Sequence, residues 1–83
     1  MTHRVEFRSD AIDQVAEFAK ADPDGIRALL DRLDLLAGEP RPAGAFAYRP
    51  DHLRIHVGFY RVLIQVEDEI SRVLVAHVGR AGS

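Results

Sequence analysis

The stretch His52-Leu53-Arg54-Ile55-His56-Val57-Gly58-Phe59-Tyr60-Arg61-Val62-Leu63-Ile64-Gln65-Val66 decides the fold. Two β-prone runs flank the dipeptide Gly58-Phe59. Gly at the first central position meets the requirement of a type II′ hairpin turn. Such a turn predicts one register: Val57 faces Tyr60, His56 faces Arg61 and Arg54 faces Leu63. Side chains alternate between faces along a strand, so Arg54, His56 and Arg61 fall on one side. Directly opposed residues hold their Cβ atoms roughly 5 Å apart, which makes His56 and Arg61 neighbours with Arg54 one diagonal step away. The other side receives Leu53, Ile55, Val57, Tyr60, Val62, Ile64 and Val66, an apolar face suited to a core. Tyr60 falls on that face and reads as structural.

The charged segment Glu67-Asp68-Glu69 leads into a third run, Arg72–Val78. That run is apolar at both parities, as an interior strand is, so its core-facing residues cannot be read from periodicity. His77 reads there as a packed or hydrogen-bonded strand residue.

Upstream, Val5-Glu6-Phe7-Arg8 alternates and predicts a short strand. Ser9 is placed to cap a helix, and Asp10 and Asp13 suit its positive end. Ala11, Ile12, Val15, Ala16, Phe18 and Ala19 form its apolar stripe. Asp22 then caps a second helix, with Pro23 at the first helical position. Ile26, Leu29, Leu30, Leu33, Leu36 and Ala37 share a face at offsets of three, four, seven, ten and eleven. Gly38 and Pro40 end it. The short link between the helices predicts an antiparallel helical hairpin. Gly38–Asp51, 14 residues rich in Pro, Gly and Ala, shows no helix or strand period. The order β-α-α-β-β-β predicts a two-layer α+β fold, an N-terminal strand and a helical hairpin against an antiparallel three-strand meander.

Composition bounds the rest. A chain of 83 residues fits a single domain over 1–83. A hydrophobic share of 47% with 29% charged residues is globular. The absence of cysteine excludes disulfides, thiolate metal sites and cysteine nucleophiles, and suits a reducing cytoplasm. No apolar run approaches the roughly 18 residues of a membrane span, and the N-terminal residues are not those of a signal peptide, so no membrane partner is expected. Net charge is −2, but unevenly spread: residues 1–40 hold five Arg/Lys against nine Asp/Glu, whereas residues 41–83 hold six Arg against four Asp/Glu. The positive half contains the cationic strand face, which points to an anionic partner.

Adjacent like charges on a sheet repel, and an anionic ligand relieves that cost. Arg donates parallel hydrogen bonds to phosphate, and His gives or takes a proton near neutral pH. Arg54, His56 and Arg61 could therefore grip a phosphodiester and assist transfer at it; alternatively they are solvated, or pair with Asp51, Gln65 or Glu67. No metal-ligand spacing and no Gly-rich phosphate loop is present, so no cofactor and no metal are expected. His3 and His52 read as surface residues. Phe46 and Tyr48, in the long connection, either stack on a base or anchor the loop to the core.

The same landmarks carry a family likeness. Arg4-Val5-Glu6-Phe7, Glu39-Pro40-Arg41-Pro42, the hairpin from Leu53 to Val62 and the ending Val75-Ala76-His77-Val78-Gly79-Arg80 occur in the order found in the RelE/ParE toxin superfamily, which the chain resembles over nearly its whole length. The resemblance implies a toxin of a type II toxin–antitoxin pair, neutralised by a cognate RelB-like antitoxin. Its RelE-like branch implies a metal-independent mRNA endoribonuclease acting on the ribosome by 2′-OH attack on the phosphodiester. Its ParE-like branch implies inhibition of DNA gyrase instead. Under the first, Arg54 and His56 match the basic strand positions, Arg61 the arginine on the scissile phosphate, and Arg80 a basic position in the ending. The sequence departs from the family at Ala81, where a further arginine is usual, and at Phe46 and Ala47, near which lysines are usual. The family's C-terminal tyrosine has no counterpart up to Ser83. These departures add a third expectation, a catalytically weakened toxin that retains antitoxin binding.

Overall fold

The hairpin forms in the register that its turn requires. In the computed structural model, which describes residues 2–81, the elements run β1 (Arg4–Phe7), α1 (Ser9–Ala21), α2 (Pro23–Asp34), β2 (Phe46–Arg49), β3 (His52–Val57), β4 (Tyr60–Glu67) and β5 (Arg72–Arg80). Short 3₁₀ turns cover Leu35–Ala37 and Asp68–Ile70. Ser83 lies outside the described residues. Val57 pairs with Tyr60, His56 with Arg61 and Arg54 with Leu63. Within the turn only Gly58 takes a positive φ, 58°, the type II′ pattern.

The sheet order is β1-β5-β4-β3-β2, with β1 parallel to β5 and every other pair antiparallel. The connection between the parallel strands β1 and β5 runs through the helical hairpin and then β2, β3 and β4. The expected β-α-α-β-β-β layout is present, with one strand added. Phe46–Arg49 lies in the segment expected to be an irregular connection, yet it pairs antiparallel with β3. All four of its residues are exposed, so no apolar alternation marks it. It is an edge strand held by its backbone.

The core lies between the helices and one face of the sheet. Ile26, Leu29, Leu33 and Leu36 from α2 and its 3₁₀ extension are buried with Leu53, Ile55, Tyr60, Val62, Ile64 and Val66. On β5, Val73, Val75 and Val78 are buried, a spacing that breaks strict alternation. The cause is a register shift: Leu63 faces His77 but Ile64 faces Val75, which leaves Ala76 as an extra residue. This β-bulge reverses the parity of everything after it.

Two expectations about α1 change. Arg8, not Ser9, is the N-cap residue, and no side chain caps the helix. The N–H of Arg8 still bonds Val75 O at 2.9 Å, so β1 pairing hands over directly to the helix. Ile12 and Ala16 are exposed, so the buried stripe narrows to Ala11 with Val15, Phe18 and Ala19 partly covered. His3, expected at the surface, is mostly covered; its Nε2 lies 3.0 Å from Asp68. Arg41 ties the long connection down, contacting Asp51 at 2.7 Å and Asp68 at 3.0 Å. It thereby clamps the β2–β3 turn, where Asp51 sits at φ 63°, to the turn after β4.

Leu33 is fully buried in this core. Leu33→Ala removes its contacts and leaves a cavity, so it is expected to cost about 2–5 kcal/mol. Urea denaturation of wild type and variant checks this through the shift in midpoint.

Candidate functional site

Arg54, His56 and Arg61 emerge together on the sheet face that the helices leave uncovered. Each is exposed, while their strand neighbours Leu53, Ile55, Tyr60 and Val62 are buried. Among the described residues none of the three makes an ion pair or a side-chain hydrogen bond. Two of the partners that could have neutralised them are engaged elsewhere: Asp51 holds Arg41, and Glu67 holds Arg72 at 2.7 Å. Arg72 is further committed to Glu6 at 3.1 Å. The cationic charge of the face is thus uncompensated by neighbouring carboxylates.

Arg80 lies apart from the other three. It pairs with Tyr60, whose side chain faces the core, so Arg80 shares the helix-side face. Its guanidinium carbon is 5.7 Å from the Tyr60 ring and 5.7 Å from the Phe59 ring. The bulge at Ala76 is the reason. With regular alternation from Val73 and Val75, position 80 would fall on the open face; one extra residue sends it to the other side.

The same bulge adds His77, whose place in an apolar run predicts only a structural role. His77 is exposed and pairs with Leu63, one diagonal step from Arg61. A Cβ at position 79 would stand 3.2 Å from His77 Nε2, so the ring lies against Gly79, the residue directly opposite Arg61. Gln14 Oε1 accepts the Val78 N–H at 2.7 Å, which turns its Nε2 toward His77 Nδ1 at 3.0 Å. With Nδ1 accepting, the neutral ring carries its proton on Nε2. His77 is therefore hydrogen-bonded, as expected, but also oriented toward the cationic face. Only the bulge could have signalled this.

Phe46 also joins the face. It pairs with Arg54, and the Arg54 guanidinium carbon lies 5.0 Å from its ring centroid. Tyr48 packs its ring edge to face with His52 at 5.9 Å. Beside the outer edge of β3 an open groove of about 230 Å³ is lined by Arg32, Phe46, Arg54 and His56, with the Pro42–Ala45 segment as its wall. Chemically the face offers guanidinium forks for phosphate, imidazoles for proton transfer and aromatic surface for stacking.

On the opposite side, Asp22 joins helix to sheet. Its Oδ1 accepts the Gly25 N–H at 3.1 Å and its Oδ2 accepts the Tyr60 hydroxyl at 2.8 Å. The Tyr60 hydrogen bond, then the Gly25 N–H, and to a lesser extent the charge of Arg80 hold the Asp22 carboxyl below the usual range, against the opposing effect of burial. Burial and the bond to Asp22 push the Tyr60 hydroxyl up.

No family model matches the chain, and no curated protein matches it in sequence. Solved structures do. The free E. coli toxin RelE, as a double arginine-to-alanine mutant, is 26% identical with a TM-score of 0.80 over 99% of this chain and 86% of that one. The intact E. coli RelBE toxin–antitoxin complex matches at 25% identity and a TM-score of 0.79, covering 98% and 99%. A chromosomal ParDE system from P. aeruginosa shares the fold at 9% identity and a TM-score of 0.73, covering 96% and 97%. By its fold and these likenesses the chain is a member of the RelE/ParE superfamily. Among the described residues no helix is long and apolar enough to cross a membrane.

The lowered carboxyl of Asp22 gives a pH test. Its stabilisation is present above the ordinary carboxylate value of about 3.9 and is lost as pH falls through the lower folded value. Asp22→Asn keeps one acceptor oxygen, for the Gly25 N–H, but removes the charge and turns the position that accepts the Tyr60 hydroxyl into an N–H donor. The variant is expected to melt below wild type at pH 7, and the gap is expected to close as pH drops below the carboxylate range. Melting curves across pH measure it.

Proposed function

We propose that the chain is the toxin of a type II toxin–antitoxin pair and, more narrowly, a RelE-like mRNA endoribonuclease acting on the ribosome. One observation carries the reading: Arg54, His56 and Arg61 form a contiguous patch, uncompensated by neighbouring carboxylates, on the open face of a RelE-type sheet. The partner expected of such a toxin is a cognate antitoxin. Its docking would cover some of the apolar side chains that stand exposed, such as Ile12, Leu35 and Phe59.

In this reading the ribose 2′-OH attacks the adjacent phosphorus. A 2′-O–P bond forms, the P–O5′ bond breaks, and the leaving 5′-oxygen takes a proton from water, so that a cyclic phosphate and a 5′-hydroxyl result. His56 accepts the 2′-hydroxyl proton. Arg61, with Arg54 beside it, meets the charge that develops on the phosphoryl oxygens, usually the largest catalytic contribution. The chemistry calls for no metal or cofactor. A weakened toxin is the second reading, favoured by the placement of Arg80 on the helix side and by Ala81 after it.

Expression without antitoxin separates the readings. A RelE-like toxin stops translation and leaves cuts within translated codons. DNA breaks with intact mRNA would instead point to gyrase, and unaffected growth to the weakened form. Arg61→Ala is expected to lower single-turnover cleavage on ribosomes by about 10²–10³-fold, the usual loss of one charge-stabilising donor. It should melt like wild type and still bind antitoxin, because Arg61 is exposed. Undiminished cleavage by that variant removes Arg61 from the site. His56→Gln is expected to slow the chemical step more than it weakens binding, and equal single-turnover rates would make His56 a bystander.

A further inference from the structure

Phe46 is a large apolar side chain on an edge strand, 57% exposed. No core packing accounts for it, and its strand shows no buried residue. It is nevertheless held in place. Pairing with Arg54 puts it on the open face, and the Arg54 guanidinium lies 5.0 Å from its ring. Tyr48, also exposed, packs its ring edge to face with His52 at 5.9 Å. The edge of the sheet therefore presents aromatic rings alongside a strand that carries His52, Arg54 and His56 on the same face, with Arg61 beyond.

This combination suits one class of ligand. Arginine and histidine rows attract phosphate, and aromatic faces stack on unpaired bases without requiring a particular one. Successive same-face positions on a strand stand about 6.6 Å apart, comparable to an extended nucleotide step. A duplex could not use the rings, because its bases are already stacked. An acidic protein partner would use the cations but has no need of flat aromatic surface next to them.

We propose that Phe46, backed by Arg54 and flanked by Tyr48, is a stacking platform for unpaired bases of single-stranded RNA whose phosphates lie along Arg54, His56 and Arg61. The contact with Arg54 biases the orientation of the ring, which lowers the ordering cost of binding. The choice of RNA as ligand rests on the nuclease reading; the stacking role rests on the geometry of the edge strand.

The test uses the whole chain and two labelled probes at low salt: a single-stranded RNA hexamer, and the same hexamer with abasic central positions. Phe46→Ala is expected to weaken the intact hexamer about tenfold, a typical loss for one stacked base, and to leave the abasic probe unchanged. Phe46→Trp should restore affinity, while Arg61→Ala weakens both probes alike. Unmeasurable binding of the intact hexamer by wild type overturns the proposal. So does wild-type affinity in Phe46→Ala, an equal loss on both probes, or a loss confined to antitoxin binding. The proposal and the nuclease reading fail separately. Base-dependent binding with ribosomal mRNA left uncut removes the nuclease and keeps the platform; cleavage by Phe46→Ala with wild-type KM does the reverse.

Discussion

A two-residue turn at Gly58-Phe59 sets the constraint on which most of this structure depends. Gly58 adopts the positive φ of a type II′ turn, and Val57 and Tyr60 must then pair. A slip of one residue would carry every side chain of the hairpin to the wrong face. The register therefore does two things at once. It buries Leu53, Ile55, Tyr60, Val62, Ile64 and Val66 against the helices, and it gathers Arg54, His56 and Arg61 on the open side. Core and candidate site are two faces of one pairing decision. The hydrophobic face enforces the register, and the cationic face inherits it.

Polar contacts add to the burial that places the hairpin against the helices. Asp22 caps α2 through Gly25 and accepts the buried hydroxyl of Tyr60 at the base of the turn. Arg41 and Arg72 tie remote turns and strands together through Asp51, Asp68, Glu6 and Glu67. These pairs sit toward the surface, where an individual ion pair contributes little. Among the described residues these carboxylates pair with Arg41 and Arg72 and not with Arg54 or Arg61, and the open face keeps its positive character in a chain of net charge −2.

Most of the architecture was legible because it rests on local rules. Leucine spacing from Ile26 to Leu36 marks the second helix, Asp22-Pro23 marks its start, and Gly58 marks the hairpin. The edge strand Phe46–Arg49 was not legible, since all its side chains are exposed and it joins β3 by backbone pairing and a few surface contacts, Phe46 with Arg54 and Tyr48 with His52. Nor was the true start of α1. Ser9 has the chemistry of a cap, but pairing of β1 with β5 carries the chain into the helix at Arg8 without one. His3 is mostly covered and not at the surface for a similar reason: its partner Asp68 is remote in sequence and near only in the fold.

By itself, the sequence determined the hairpin register and hence the contiguity of Arg54, His56 and Arg61, because a turn and its flanking alternation are properties of neighbouring residues. Only the tertiary structure decided the fate of the last strand. Apolar residues at both parities give β5 no preferred face, and the bulge at Ala76 falls just past Val75, the last residue of β5 that pairs with β1, where the register against β4 shifts. That single extra residue turns Arg80 toward Tyr60 and His77 toward the open face, and pairing of the edge strand places Phe46 beside Arg54. The patch visible in the sequence thus keeps its centre, while its periphery is set by long-range strand pairing that no local pattern encodes.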